Sequence, residues 1–288
     1  MTFEVLAPGP LTTVQDLGRP GWGAYGIPEG GAMDRATLRA ANRLAGNPPG
    51  SAALEYTLRG PRLRWRGRRP VEVAVAGDTM TRRTLDPGDI LDCGALGERA
   101  RGYVAVQQGF AAVSVLGSHA TCLAGGFGGF EGRPLRAGDR LRVNAATRAV
   151  RTSTAGPDDI TSPRVLAALR IISAGRTGAA ALRGLVDESW TVAEADRAGI
   201  RLAGPSISAR PLQASRPVCA GAVQVTGEGQ PIVLLRDHPT VGGYPLAGLV
   251  IGADLDHCAQ LRPGAEVRFR RVTEAVALRA LRAEAPDP

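Results

Sequence analysis

Short runs of apolar residues separated by glycine and proline dominate the pattern of this 288-residue chain. Val71-Glu-Val-Ala-Val-Ala76, Tyr103-Val-Ala-Val106 and Pro231-Ile-Val-Leu-Leu235 are rich in β-branched residues and bounded by turn formers, which predicts strands. Arg62, Leu63, Arg64, Trp65 and Arg66 alternate strictly, the period of a strand with one apolar and one solvated face. The helical period surfaces rarely. It predicts a helix over Met33–Leu44, with Asp34 as N-cap, Leu38, Ala41 and Leu44 on one face, and Gly46 before Asn47-Pro-Pro-Gly50 as the stop. Two further helices are expected, over Ala181–Glu188 and from Asp254 to just before Arg262, the latter carrying His257 and Cys258.

One pattern recurs three times: Leu85-Asp-Pro-Gly-Asp-Ile-Leu91, Leu135-Arg-Ala-Gly-Asp-Arg-Leu141 and Leu261-Arg-Pro-Gly-Ala-Glu-Val267. Proline or alanine followed by glycine fits the two central positions of a type II turn, where the second needs positive φ. Each copy therefore predicts a tight turn that feeds a strand. Fold class follows as mainly β with a few short helices. The polar stretch Ala145–Pro163, nearly free of large apolar residues, predicts a linker between two similar β domains, residues 1–150 and 160–288.

Composition sharpens this picture. The 38 glycines and 21 prolines account for many turns, while 44% hydrophobic residues suffice for a sizeable core. All 35 basic residues are arginine, since the chain contains no lysine. That excludes a lysine Schiff base, biotin attached through a lysine amine of this chain, and a phosphate loop of the G-x-x-x-x-G-K-[ST] type. The net charge of +8 and six arginines between Arg59 and Arg69 raise nucleic-acid contact as a reading; the alternation through that run favours an amphipathic strand instead. The four cysteines form no C-x-x-C pair and the three histidines do not cluster with them, so no metal site and no disulfide scaffold are expected. No apolar run has the length of a signal peptide core or a membrane span, and a cytoplasmic location is expected.

Four segments concentrate polar groups beside glycine. Residues 11–34 bring Asp16, Arg19 and Asp34 toward the start of the first helix, an arrangement suited to anion binding or proton transfer; capping of the helix by Asp34 and of turn amides by Asp16 is the structural alternative. Residues 123–133 place five glycines around two phenylalanines, suited either to close approach of a ligand or to a loop pinned by its aromatics. Residues 227–231 and 236–245 flank a strand and present Asp237, Thr240 and Tyr244 beside Gly242 and Gly243. His238, followed by proline, ranks below Asp237. No nucleophile elbow or catalytic triad is present.

The segments GPLTTVQDLGRPG (9–21), GIPEGGAMD (26–34), ANRLAGNP (41–48), ALEYTLRGPRLRW (53–65), GGFGGFEGR (125–133), GQPIVLLRDHPTVGGYP (229–245) and ADLDHCAQLRPGAEVRF (253–269) together resemble the family of 5-oxoprolinase C subunits, also described as the urea-amidolyase-related biotin-dependent carboxyltransferase family. The resemblance implies two cyclophilin-like β-barrel domains and a share in an ATP-dependent enzyme, assembled with A-type and B-type subunits of the same complex, that opens 5-oxoproline to glutamate. ATP is expected to be used by the assembled complex rather than bound by this chain alone. The alternatives are a carboxyltransferase component using biotin carried by another chain, or a non-catalytic regulator of a B-type partner. Candidate catalytic positions are Asp16, Arg19, Asp34, Asp237 and Tyr244. Candidate substrate-binding positions are Gln15, Asn42, Glu55, Gln230, Thr240, Gly242 and Gly243. Neither a membrane nor a nucleic acid is an expected partner. The chain departs from the family pattern at Ile172–Gly178, at Gln108-Gly109, where a Gly-Gly pair is expected, and at His238 and Pro239 beside the proposed site.

Overall fold

The computed structural model describes residues 1–145, 168–175 and 178–284. Two compact units divide the chain: Met1–Gly21 with Glu29–Arg164, and Trp22–Pro28 with Val165–Pro288. The predicted linker lies outside the described residues beyond Ala145, as do residues 176 and 177 of the Ile172–Gly178 departure.

In chain order the first unit carries β1 (Thr2–Ala7), β2 (Leu11–Gln15), α1 (Arg35–Leu44), β3 (Ala53–Thr57), β4 (Arg62–Trp65), β5 (Val71–Ala76), β6 (Met80–Leu85), β7 (Ile90–Asp92), β8 (Arg101–Val106) and β9 (Arg140–Arg142). They form a four-stranded sheet in the order β7-β4-β1-β9 and a five-stranded sheet in the order β2-β3-β8-β5-β6. Large residues on the inner faces, among them Phe3, Leu63, Trp65, Leu91, Leu54, Val73 and Val104, bury one shared core. The outer face of the five-stranded sheet carries Ala53, Ala74, Ala76 and Ala105, which let α1 settle close through Leu38, Ala41 and Leu44. Alternation of valine and alanine along β5 thus separates two cores, one between sheets and one beneath a helix.

The second unit carries β10 (Leu169–Ser173), α2 (Ala179–Asp187), β11 (Ser189–Ala195), β12 (Gly199–Ala203), β13 (Arg216–Pro217), β14 (Ala222–Val225), β15 (Pro231–Leu234), β16 (Val241–Gly242), β17 (Leu246–Val250), α3 (Leu255–Cys258), β18 (Glu266–Arg271) and α4 (Glu274–Glu284). Seven strands close a barrel in the order β10-β17-β14-β15-β12-β11-β18, sealed by parallel pairing of β10 with β18. Strands β13 and β16 form a separate two-stranded ribbon. Helix α4 was not expected from the sequence.

All three predicted turns are present, with one geometry. Gly88, Gly138 and Gly264 have φ of 97°, 90° and 89°, and each turn closes with a bond from its fourth amide to its first carbonyl, Asp89 to Asp86, Asp139 to Arg136 and Ala265 to Arg262. Each glycine N–H also donates to a strand carbonyl, of Trp65, Val5 or Val192, and that residue's own N–H returns to the fourth carbonyl of the turn. The repeat is therefore a docked turn, used twice in the first unit and once in the second, that leads into β7, β9 and β18.

Candidate functional site

In the first unit the candidate side chains are engaged in holding the fold. Asp16, 6% exposed, accepts from the amides of Gly18 at 2.8 Å and His119 at 2.6 Å and from the Ser118 hydroxyl at 2.6 Å. It thereby pins the segment 118–120 to the turn after β2. Arg19 is 1% exposed; its Nη2 donates to Ala120 O at 2.5 Å and its guanidinium lies 5.1 Å from the Phe127 ring centroid. Its Nη1 and the Oε1 of fully buried Gln15 have no partner among the described residues. Gln15 Nε2 donates to Thr13 Oγ1 and Thr121 O.

The glycine-rich loop covers the same segment. A side chain at Gly128 would strike the Ala120 carbonyl, and one at Gly129 the Thr121 hydroxyl. Phe127 stacks on Arg19, and Phe130 lies 5.0 Å from the Arg133 guanidinium. Close packing of the loop on its own chain, pinned by aromatics, accounts for its composition.

Asp34 is the N-cap of α1: its Oδ1 accepts from Thr37 N at 2.8 Å, and its Oδ2 from Thr37 Oγ1 at 2.6 Å and Arg99 Nη2 at 2.7 Å. The helix start thus holds its own carboxylate, 2% exposed, where an external anion would otherwise sit. Alongside, Glu55 Oε2 accepts from Met33 N at 2.7 Å and the Tyr103 hydroxyl at 2.8 Å, while that hydroxyl accepts from Asp34 N. Burial, with the carboxylates of Glu55 and Asp34 nearby, holds the Tyr103 phenol well above its ordinary pKa. Asn42 donates to Pro49 O and Ser51 O and accepts from Asn47, clipping the stop of α1.

In the second unit, Asp237 forms a bidentate pair with Arg197, at 2.7 and 3.0 Å, and the Arg197 side chain is 3% exposed. His238 Nδ1–H donates to Pro239 O at 2.7 Å. Gln230 exchanges both amide bonds with the Gly204 backbone. Val218 N donates to Thr240 O, and Gly242 lies on the β13–β16 ribbon, where a side chain would collide with the Gln224 amide. Gln224 is 5% exposed and its Nε2 has no partner among the described residues. Tyr244, in contrast, is 47% exposed. Beside it opens a cleft of about 450 Å³ lined by Arg210, Gln213, Ser215, Arg216 and Pro245.

The structure therefore gathers Thr240, Gly242, Gly243 and Tyr244 on one exposed ribbon and loop, next to a cleft with two guanidiniums and a hydroxyl. It places Gln15, Asp16 and Arg19 in one buried cluster and Asp34 with Glu55 in another. Sequence reasoning missed Arg99, Arg197, Ser118, Gln224, Arg210 and Arg216. Arg99 and Arg197 meet their carboxylates 65 and 40 residues away, so no local spacing signals them. Burial pushes the Cys93 thiol up to about 12 and the Cys258 thiol higher still, and neither is a nucleophile at neutral pH. Among the described residues no group of three or more His, Cys, Asp or Glu side chains is arranged to hold a metal ion. No helix among them is long and apolar enough to cross a membrane.

This combination, a barrel bearing a glycine-tyrosine ribbon and a two-sheet unit in one chain, belongs to a known class. Residues 25–271 match the family described as carboxyltransferase domain, subdomain A and B, and the chain belongs to that family. It is 35% identical to the C subunit of 5-oxoprolinase from Haemophilus influenzae, over 96% of this chain and 94% of that protein. The 5-oxoprolinase C subunit of Escherichia coli K12 matches at 32% identity with the same two coverages. Among solved structures, Kluyveromyces lactis urea carboxylase superposes with a TM-score of 0.86 at 29% identity, over 96% of this chain; the chain spans 28% of that protein's length.

Proposed function

We propose that this chain is one component of an ATP-dependent 5-oxoprolinase that opens the lactam of 5-oxoproline to glutamate together with A-type and B-type partners in the cytoplasm. One observation carries this reading. The likeness to the two 5-oxoprolinase C subunits, at 35% and 32% identity, extends over 94% of each of them, whereas it accounts for 28% of the urea carboxylase.

Opening a lactam puts negative charge on the carbonyl oxygen as it is attacked and requires a proton for the departing ring nitrogen. On the exposed ribbon of the second unit we assign Tyr244 as the proton-bearing group. Thr240 and the Gly242–Gly243 backbone are assigned to hold the substrate, and Arg210 and Arg216 to face its carboxylate. Asp237, fixed by Arg197, sets the strand end from which this ribbon departs. In the first unit Arg19 Nη1 and Gln15 Oε1 are two candidate-site atoms without a partner among the described residues. Asp16, Asp34, Asn42, Glu55 and Gln230 are assigned to positioning.

ATP is assigned no site among the described residues of this chain. There is no lysine for a phosphate loop, and the start of α1 is filled by Asp34. Nucleotide binding is assigned to a partner chain. The test is co-expression with both candidate partners, followed by measurement of ATP-dependent glutamate release from 5-oxoproline; an intact complex without activity overturns the reading. The urea carboxylase superposition favours a second reading, a carboxyltransferase component fed by biotin on another chain. Carboxylation of urea by this chain with a biotinylated carrier would establish that reading in place of the first.

A further inference from the structure

The arginine run Arg59–Arg69 plays no part in the assignments above, and the structure shows where it lies. Strand β4 belongs to the four-stranded sheet β7-β4-β1-β9. Phe3, Val5, Leu63, Trp65, Leu91 and Leu141 point inward and are at most 2% exposed. The alternate positions face out: Arg62, Arg64 and the adjoining Arg66, Glu4, Ile90 and Asp92, Arg140 and Arg142. The registers place Ile90, Arg64, Glu4 and Arg140 in one row across the sheet, with Arg62 beside Asp92 and Arg142 beside Thr2 in the rows on either side. At a strand spacing of about 4.8 Å each full row is roughly 14 Å wide.

Five guanidiniums share this face with two carboxylates. Glu4 is held by Arg66 at 2.6 Å and Arg64 at 3.8 Å, and Asp92 by Arg62 at 3.2 Å. Arg140 and Arg142 on the edge strand β9 form no ion pair among the described residues, and both are exposed. The strand registers fix the spacing of the arginine Cα positions, and planar guanidinium forks match carboxylates in two-point contacts. Two features separate a protein surface from a nucleic-acid backbone as the occupant. Glu4 sits between Arg64 and Arg140 in the central row, where a phosphate chain would meet it. Ile90, 43% exposed, offers apolar contact of the kind protein interfaces use at their centres.

We infer that the outer face of the β7-β4-β1-β9 sheet docks an acidic protein surface, that of the partner with which this chain assembles, through Arg140 and Arg142 and the rows beside them. This rests on the proposed 5-oxoprolinase reading for the identity of the partner. The experiment compares the full wild-type chain, Arg140→Glu/Arg142→Glu, and Arg83→Glu, an exposed arginine on the other sheet, for binding to the purified B-type and A-type proteins at low and high salt. Unchanged urea unfolding midpoints establish that the variants are folded. The double variant is expected to bind at least about tenfold more weakly at low salt, with a flatter salt dependence, and Arg83→Glu within about twofold of wild type. Equal binding by the double variant overturns the docking face while leaving the 5-oxoprolinase reading to stand on glutamate release. Absence of binding by wild type to either protein overturns both. Retention of a short DNA duplex by wild type, lost in the double variant while binding to the partner proteins persists, makes the face a polyanion site and overturns the inference.

Discussion

The loop systems at residues 9–34 and 227–245 look alike as sequence, each rich in glycine, carboxylates and hydroxyls. In the structure they have opposite fates. In the first, Asp16 and Asp34 are buried at 6% and 2% exposure and their oxygens are taken up by backbone amides, hydroxyls and an arginine. In the second, Asp237 is paired with Arg197, yet Tyr244 stands 47% exposed and the ribbon beside it stays open. Glycine beside polar residues therefore marks two different things. It marks places where backbone approaches backbone and needs side-chain staples, and places where a surface is kept clear. What separates them is whether each polar atom already has a partner, since a saturated buried group has no capacity left for a substrate.

The largest expected effect tests the first half of that contrast. Asp34→Ala removes the α1 cap and takes from the buried Arg99 guanidinium the carboxylate that lies 2.7 Å from its Nη2. Breaking one side of such a pair costs about 3–5 kcal/mol, to be read from urea unfolding of the first unit. A loss under about 1 kcal/mol would mean the fold does not need this carboxylate and would return it to the candidate reactive groups.

The second half is sharpened by Tyr244→Phe. The hydroxyl is removed from a half-exposed ring, so stability should stay within about 0.5 kcal/mol of wild type. If the phenol supplies the proton for the departing nitrogen, glutamate release by the assembled complex should fall at least about a hundredfold in kcat. An unchanged kcat in a complex that still assembles removes Tyr244 from the chemistry and shifts attention to the Arg210–Arg216 cleft.

Legibility followed range along the chain. The three turns, α1 with its cap, and β5 rest on residues within a few positions of each other, and their periods and glycine placements were readable directly. That Ala74 and Ala76 mark the side of β5 covered by α1 emerged only from the structure. The Asp34–Arg99 and Asp237–Arg197 pairs join residues 65 and 40 positions apart and exist only once the sheets have formed. Helix α4 escaped for another reason. Leu278 and Leu281 are 53% and 52% exposed, so the segment lacks the buried stripe by which a helix announces itself. The exposed ribbon was found through Gly242, Gly243 and Tyr244; Gln224 beneath it was not, because a lone glutamine in a valine strand carries no pattern.

The smallest expected effect asks how strong the staples of the first unit are. Gln108 occupies a place where the resemblance led us to expect glycine, and its φ is 77°, in the left-handed region that favours glycine. Two asparagines hold it there: Asn47 Oδ1 accepts from Gln108 N at 2.7 Å, and Asn144 Nδ2 donates to Gln108 O at 3.0 Å. Both bonds are to backbone, so Gln108→Gly keeps them and relieves the steric cost of the side chain, while giving the unfolded chain more freedom. The balance should favour the variant by about 0.5–1 kcal/mol, seen as a small rise in the unfolding midpoint with an unchanged denaturant slope. A loss of stability would mean that the glutamine side chain itself contributes to the fold, and that saturation by staples extends beyond the asparagines to the residue they hold.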